Sequence, residues 1–212
     1  SFDGSFKMNE QDYAMDISFK SPDNSFKSLL SLIPGMYTKS FGSIETKGEL
    51  ALAGFVKGTY SEKQMPAFNL NMVVKDAMFK YPELPTAINN INLDLLVDNK
   101  DGIIDHTTID LKKLHLDFGA NPVDARARIT ALYPTNLDAE ISAALNLAEV
   151  DKMFPLEGLD MKGNYALNLK AQGVYDSIKG SIPAINAAMS LADGYVKSSG
   201  FPVPIEDIHF SS

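Results

Sequence analysis

Cysteine is absent from the 212 residues, which excludes disulfides and thiolate metal sites but fixes no compartment. Grouped positive charge is absent as well. Nineteen Lys and Arg stand against 27 Asp and Glu, a net charge of −8, and no basic run occurs. Neutralising phosphate needs clustered Lys and Arg, so nucleic acid is not an expected partner. Electrostatic adhesion to an anionic membrane surface is not expected for the same reason. There is no long apolar run and no signal-peptide pattern. The opening Ser1-Phe2-Asp3-Gly4 starts in mid-pattern and reads as part of something longer.

The marks of catalysis are also missing. There is no Gly-rich phosphate loop, no nucleophile elbow and no His-Glu-x-x-His pattern. The three histidines, His106, His115 and His209, fall on separate expected strands or edges and read as exposed or hydrogen-bonded side chains. Asp98-Asn99-Lys100-Asp101-Gly102 lacks the spacing and closing Glu of a calcium loop, and reads as a hairpin turn. Asp105, Asp110 and Asp117 read as the wet side of a strand. The expectation is a protein that is not an enzyme and uses no metal or cofactor.

What the chain does have is period-two alternation, the sign of half-buried strands. Leu50, Leu52 and Val56 alternate with Ala51, Ala53 and Phe55. Phe68, Leu70, Met72 and Val74 follow, then Ile91, Leu93, Leu95 and Val97. A region from Ile103 to Phe118 carries Ile109, Leu111, Leu114, Leu116 and Phe118, with a phase slip at Lys112-Lys113 that predicts a bulge. Val123, Ala125, Ala127, Ile129 and Ala131 continue, then Leu137, Ala139, Ile141, Ala143 and Leu145. Tyr165, Leu167, Leu169 and Ala171 make a further strand, and Ile185, Ala187, Met189 and Leu191 the next. Two stretches have helical spacing instead: Ser25 to Ile33, closed by Pro34, and Ala148 to Phe154, closed by Pro155.

The chain also repeats itself. Pro66 to Asp94 falls on Pro183 to Ser211 without a gap (183 − 66 = 117), with identities that include Asn69/Asn186, Met72/Met189, Asp76/Asp193, Lys80/Lys197 and Ile91/Ile208. Upstream the offset is 115, pairing Gly48/Gly163, Leu52/Leu167 and Gly58/Gly173. One repeat-built domain is expected, with copy one over about 5–98, connecting strands over 99–122 and copy two over 123–212. Gly48 to Tyr60 as one strand would span about 43 Å at roughly 3.3 Å per residue. Two short helices cannot cover sheets of that size. The expected fold is therefore mainly β, with long, curved antiparallel sheets from two tandem repeats, each with one short helix, forming a half-open barrel or groove.

The apolar helix ending at Pro34, the run Lys47-Gly48-Glu49-Leu50 and the string Pro66-Ala67-Phe68-Asn69-Leu70 are together similar to the AsmA-like family. Phe79-Lys80-Tyr81-Pro82-Glu83-Leu84-Pro85, followed by Ile88-x-x-Ile91-x-Leu93, resembles the form found in Bacteroidetes. The second copy departs from it, with Ser198-Ser199 in place of the Tyr-Pro step. The resemblance implies a periplasmic segment of a large envelope protein, held in the inner membrane by an N-terminal helix and linked to outer-membrane assembly and lipid homeostasis. It also implies kinship with bridge-like lipid transfer proteins, whose repeated β-sheets form an apolar trough. It brings no catalytic residues. Expected partners are a phospholipid or other acyl lipid, and envelope-assembly proteins. The candidate groove lining is Leu50, Leu52, Phe68, Leu70, Met72, Ile91, Leu93, Leu95, Ile109, Ile129, Ile141, Leu167 and Met189. The alternative is a structural or protein-interaction β-scaffold with no lipid cavity, in which strands rich in Ala125, Ala127 and Ala131 pack closely.

Overall fold

The computed structural model describes residues 1–8, 12–21, 45–62, 64–80, 86–153, 156–201 and 203–212. Nearly every alternating run becomes a strand: β1 (Phe2–Met8), β2 (Tyr13–Lys20), β3 (Glu45–Tyr60), β4 (Ala67–Lys80), β5 (Ile88–Asn99), β6 (Thr108–Phe118), β7 (Asn121–Leu132), β8 (Thr135–Asn146), β9 (Leu159–Tyr175), β10 (Ala184–Ser198) and β11 (Ile205–Ser211). They lie in one sheet in chain order, each antiparallel to the next. The sheet is curved and does not close, so β1 and β11 are its two edges. The strands are long, 16 residues in β3 and 17 in β9.

One α-helix is described, α1 (Leu147–Met153), where the spacing from Ala148 to Phe154 predicts one. It packs on β8 and β9. The helix expected over Ser25 to Ile33 lies outside the described residues, as do 81–85 of the Tyr-Pro string. The region from Ile103 to Phe118 is not strand throughout. A 3-10 turn occupies Ile104–His106 and β6 starts at Thr108. The cause is Asn99, fully buried, whose amide gathers the connection around itself. Its Oδ1 accepts from the Gly102 N–H (2.6 Å), and its Nδ2 donates to the Ile103 carbonyl (2.7 Å) and to Thr107 Oγ1 (2.9 Å).

The apolar phase slips by one residue at several points, and bulges absorb the slips. The predicted one lies between Leu111 and Leu114, where the β6–β7 register shifts. Others lie between Val74 and Ala77, and between Leu191 and Gly194. Four bulge residues are in the left-handed region, Asp76 (φ 46°), Asn90 (φ 51°), Asp193 (φ 53°) and Asp207 (φ 54°). Asn and Asp visit that region at least cost among residues with a side chain. Asp76 N–H donates to Asn92 Oδ1 on β5, and Asp193 N–H donates to His209 Nδ1 on β11.

Candidate functional site

Side chains alternate between the two faces of a strand, so the register assigns each residue to a face. One row runs Leu50, Val74, Leu93, Leu114, Ala125, Ile141, Leu169, Ala187 across eight strands. The next runs Leu52, Met72, Leu95, Leu111, Ala127, Ala139, Ala171, Ile185. A third links Leu70, Val97, Ile109, Ile129 and Leu137. Phe68 lies opposite Val56, Ile91 opposite Ala77, and Leu167 opposite Met189. The thirteen candidate residues therefore share one face of one sheet. Leu50 is buried and Ile141 is 41% exposed. The other eleven are half-buried.

The same face extends to residues the sequence reading passed over. Met15, Ile17 and Phe19 of β2 pair with Gly58, Val56 and Gly54, and since Gly54 lies opposite Leu70 and Val56 opposite Phe68, they extend the Leu70 and Phe68 rows. Their period-two spacing was the available signal. Among the described residues, the buried cluster on this face is Leu50, Val74 and Ala77, with Met72, Ile91 and Leu93 against them. At one end α1 covers part of the face. Met153 is buried there, and Asn121 Nδ2 donates to Glu149 Oε2 (2.8 Å). Among the described residues no second sheet lies over the rest. The accessible surface of 13655 Å² compares with about 9,700 Å² for a compact monomer of this 23.1 kDa mass.

The opposite face carries the charged side chains, together with apolar residues such as Phe55, Val73 and Leu96, and is held by cross-strand pairs. Arg126 contacts Asp138 (3.2 Å) and Glu140 (2.7 Å), and Lys170 contacts Glu140 (3.0 Å), tying β7, β8 and β9 together. The Arg126 hydrogen bond, then that of Lys170, holds the Glu140 carboxyl at about 2, well below its ordinary 4.5. His115 Nδ1 lies 2.8 Å from Asp124, and its Nε2 lies 3.5 Å from Asp117. His106 pairs with Asp101 at 2.7 Å, and this hydrogen bond holds the Asp101 carboxyl below its usual range. Each histidine thus has a hydrogen-bonding or ion-pair partner. Among the described residues no group of three or more His, Asp or Glu is placed to hold a metal ion. A hollow of about 280 Å³ has Lys113, Arg126, Glu140, Ser142, Asn168 and Lys170 among its lining residues. The arrangement of this face organises charge and holds register.

No protein-family model, no curated protein and no solved structure matches this chain.

Proposed function

We propose that the apolar face binds acyl lipid, and that the chain is a non-enzymatic segment of an AsmA-like envelope protein that conducts lipid along a groove. The observation that carries this reading is the single apolar face, continuous across the strands of a sheet that does not close. A water-facing apolar surface of this extent calls for an occupant. Burying each methylene of an acyl chain is worth about 0.8 kcal/mol, and a headgroup at the open side stays in water. The alanines of β7, β8 and β9 make a shallow floor between taller Leu and Ile side chains, which leaves room for a chain to lie across the strands.

The tandem-repeat part of the reading draws on backbone detail. The left-handed or positive-φ residues recur at the sequence offsets: Gly48/Gly163 and Gly58/Gly173 at 115, Asp76/Asp193 and Asn90/Asp207 at 117 (163 − 48 = 115; 193 − 76 = 117). The side chains that accept from the two bulge amides, Asn92 and His209, are also 117 apart (209 − 92 = 117). In this reading β3, β4 and β5 of copy one correspond to β9, β10 and β11 of copy two. The periplasmic location, the inner-membrane anchor and the role in outer-membrane assembly rest on the family resemblance.

The test is native and lipid mass spectrometry of the purified chain against a matched soluble control. Phospholipid at defined stoichiometry is expected in the parent and in Asn71→Asp, which adds charge to the polar face. Loss is expected in Ile141→Asp, whose side chain is exposed enough to change without unfolding, and in Leu70→Asp or Leu93→Asp. Equal lipid in parent and folded Ile141→Asp would sink the reading. A lipid-free parent that takes up no fluorescent phospholipid would favour the scaffold alternative, in which edges and loops dock assembly proteins.

A further inference from the structure

Antiparallel strands in chain order put alternate turns at opposite ends of the sheet. The β1–β2, β3–β4, β5–β6, β7–β8 and β9–β10 turns therefore share one end. Neighbouring turns are two strands apart, about 9.6 Å, so five of them make a row of about 38 Å.

Besides Met8 and Met65, the exposed apolar side chains described in this row form two sets. Three tyrosines, Tyr13, Tyr60 and Tyr175, stand at strand ends and Tyr133 on the β7–β8 turn, all between 37% and 49% exposed. Beyond them, on the turns, are Ile103, Ile104 and Ile178, with Ile182 level with Tyr175 just inside the Asp176–Ser181 bridge, all between 46% and 83% exposed. These isoleucines are held out by buried polar side chains. Asn99 and Thr107, 0% and 3% exposed, pin the β5–β6 connection through hydrogen bonds to Ile103 and Ile104 carbonyls. Asp176, 5% exposed, accepts from the Ile178 and Lys179 N–H groups (3.0 Å each), and its backbone pairs with Ser181 across the β9–β10 turn. Among the described residues, three of the four buried polar side chains, Asn99, Thr107 and Asp176, thus sit at this end. The ordering cost of presenting these side chains is already met within the fold.

We propose that this end of the sheet is a docking edge for the interfacial region of a phospholipid bilayer. Aliphatic tips outermost with tyrosines one step behind match the order of a bilayer interface, where amphipathic rings lie at headgroup level and aliphatic groups go deeper. Charge there does not call for anionic lipid. Among the described residues of these turns, Lys100 and Lys179 are outnumbered by Asp12, Glu62, Asp101, Asp105 and Asp176. Docking is then driven by apolar insertion, with little dependence on salt. It would hold the sheet by its strand ends, with the apolar face running along the membrane. Tyr13, Tyr60 and Tyr175 continue the lipid-binding face to this end, while the isoleucines of the turns lie outside it, so either function can fail without the other.

The experiment is flotation with phosphatidylcholine vesicles, together with emission from Ile178→Trp, which gives a single reporter because the chain has no tryptophan. Expected are co-flotation that persists in high salt, and a blue shift of Ile178→Trp on adding vesicles. Ile178→Asp with Ile182→Asp should lower the partition coefficient about a hundredfold, roughly tenfold per side chain, with thermal unfolding unchanged. That double variant keeps any lipid bound to the apolar face in mass spectrometry, whereas Ile141→Asp loses bound lipid and still floats. A parent that does not float, an unshifted Ile178→Trp, or a folded double variant that floats like the parent would each overturn the proposal.

Discussion

Replacing Gly48 by alanine should destabilise the sheet far more than the same change at Gly58, and the structure gives the size of the gap. Both glycines lie in β3 with positive φ, 105° and 125°. A side chain in such a conformation costs roughly 1–3 kcal/mol. Alanine returns roughly 0.4–1 kcal/mol by restricting the unfolded chain. Those effects are common to the two sites, so Gly58→Ala should cost about 1 kcal/mol, because its Cβ would meet nothing closer than Pro66 Cα at 3.5 Å. At Gly48 the new Cβ would lie 2.4 Å from Ala77 Cα and 2.8 Å from Ala77 N. Carbon contacts are optimal at about 3.5–4.0 Å, so backbone must move, at a further roughly 1–3 kcal/mol. Ala77 is fully buried beside Leu50 and Val74, and the movement disturbs the tightest apolar contact of the sheet. Gly48→Ala should therefore cost about 3 kcal/mol. With an m-value of about 2 kcal/mol/M, the urea midpoints of the two variants should differ by about 1 M. Gly163→Ala, whose Cβ would meet Ala192 O and Gly194 Cα at 2.9 Å, should fall between them. Equal midpoints for Gly48→Ala and Gly58→Ala would refute the reasoning.

Two further outcomes follow from polar groups. Because the folded Glu140 carboxyl titrates near 2, below its ordinary 4.5, its contribution to stability is full above about pH 4.5 and is lost as pH falls through 2. Glu140→Gln should therefore lower stability at neutral pH, and its urea midpoint should converge on the parent's as pH falls from about 5 to about 2; a gap that stays constant would refute the pairing with Arg126 and Lys170. Asn99→Ala strips partners from the Gly102 N–H and the Ile103 carbonyl in a buried site, at a cost of about 2–3 kcal/mol by urea denaturation. A loss below about 0.5 kcal/mol would show that water replaces the amide.

The apolar face was legible because a half-buried strand has a period of two and nothing else in the chain imitates it. Ile91, Leu93 and Leu95 could be assigned to one side from spacing alone, and the extra residue at Lys112-Lys113 announced its bulge as a break in phase. The ion pairs of the polar face were not legible. Arg126 has acids at many positions within reach in sequence, and only the β7–β8 register selects Asp138 and Glu140. Nor was the burial of Asn99 and Asp176, since both are turn formers whose side chains more often face water. The isoleucine edge was hidden for a different reason. Tyr13 and Tyr175 reach the same end only after eight strands, β2 to β9, have been laid side by side, a property of topology that no local window contains.

The bulges bind these features into one argument. Apolar residues are three apart rather than two at Val74/Ala77, Ile88/Ile91, Leu111/Leu114, Leu191/Gly194 and Ile205/Ile208. In a regular strand each such step would throw all later apolar side chains to the other face. At Asp76, Asn90, Asp193 and Asp207 the left-handed residue takes up the extra position, and at Lys112 an ordinary bulge does so. The consequence is that Ala77, Ile91, Leu114 and Gly194 remain beside Leu50, Val74, Leu93 and Leu191. A sheet that needed only stability could have mixed apolar residues on both faces and covered each with a helix. Here the apolar phase is corrected at every slip, so one face stays continuous while the other keeps its charges. Continuity of that kind is of use to an occupant that lies across many strands at once. Under the proposed lipid-binding function, such a face would suit a long apolar ligand better than a compact one.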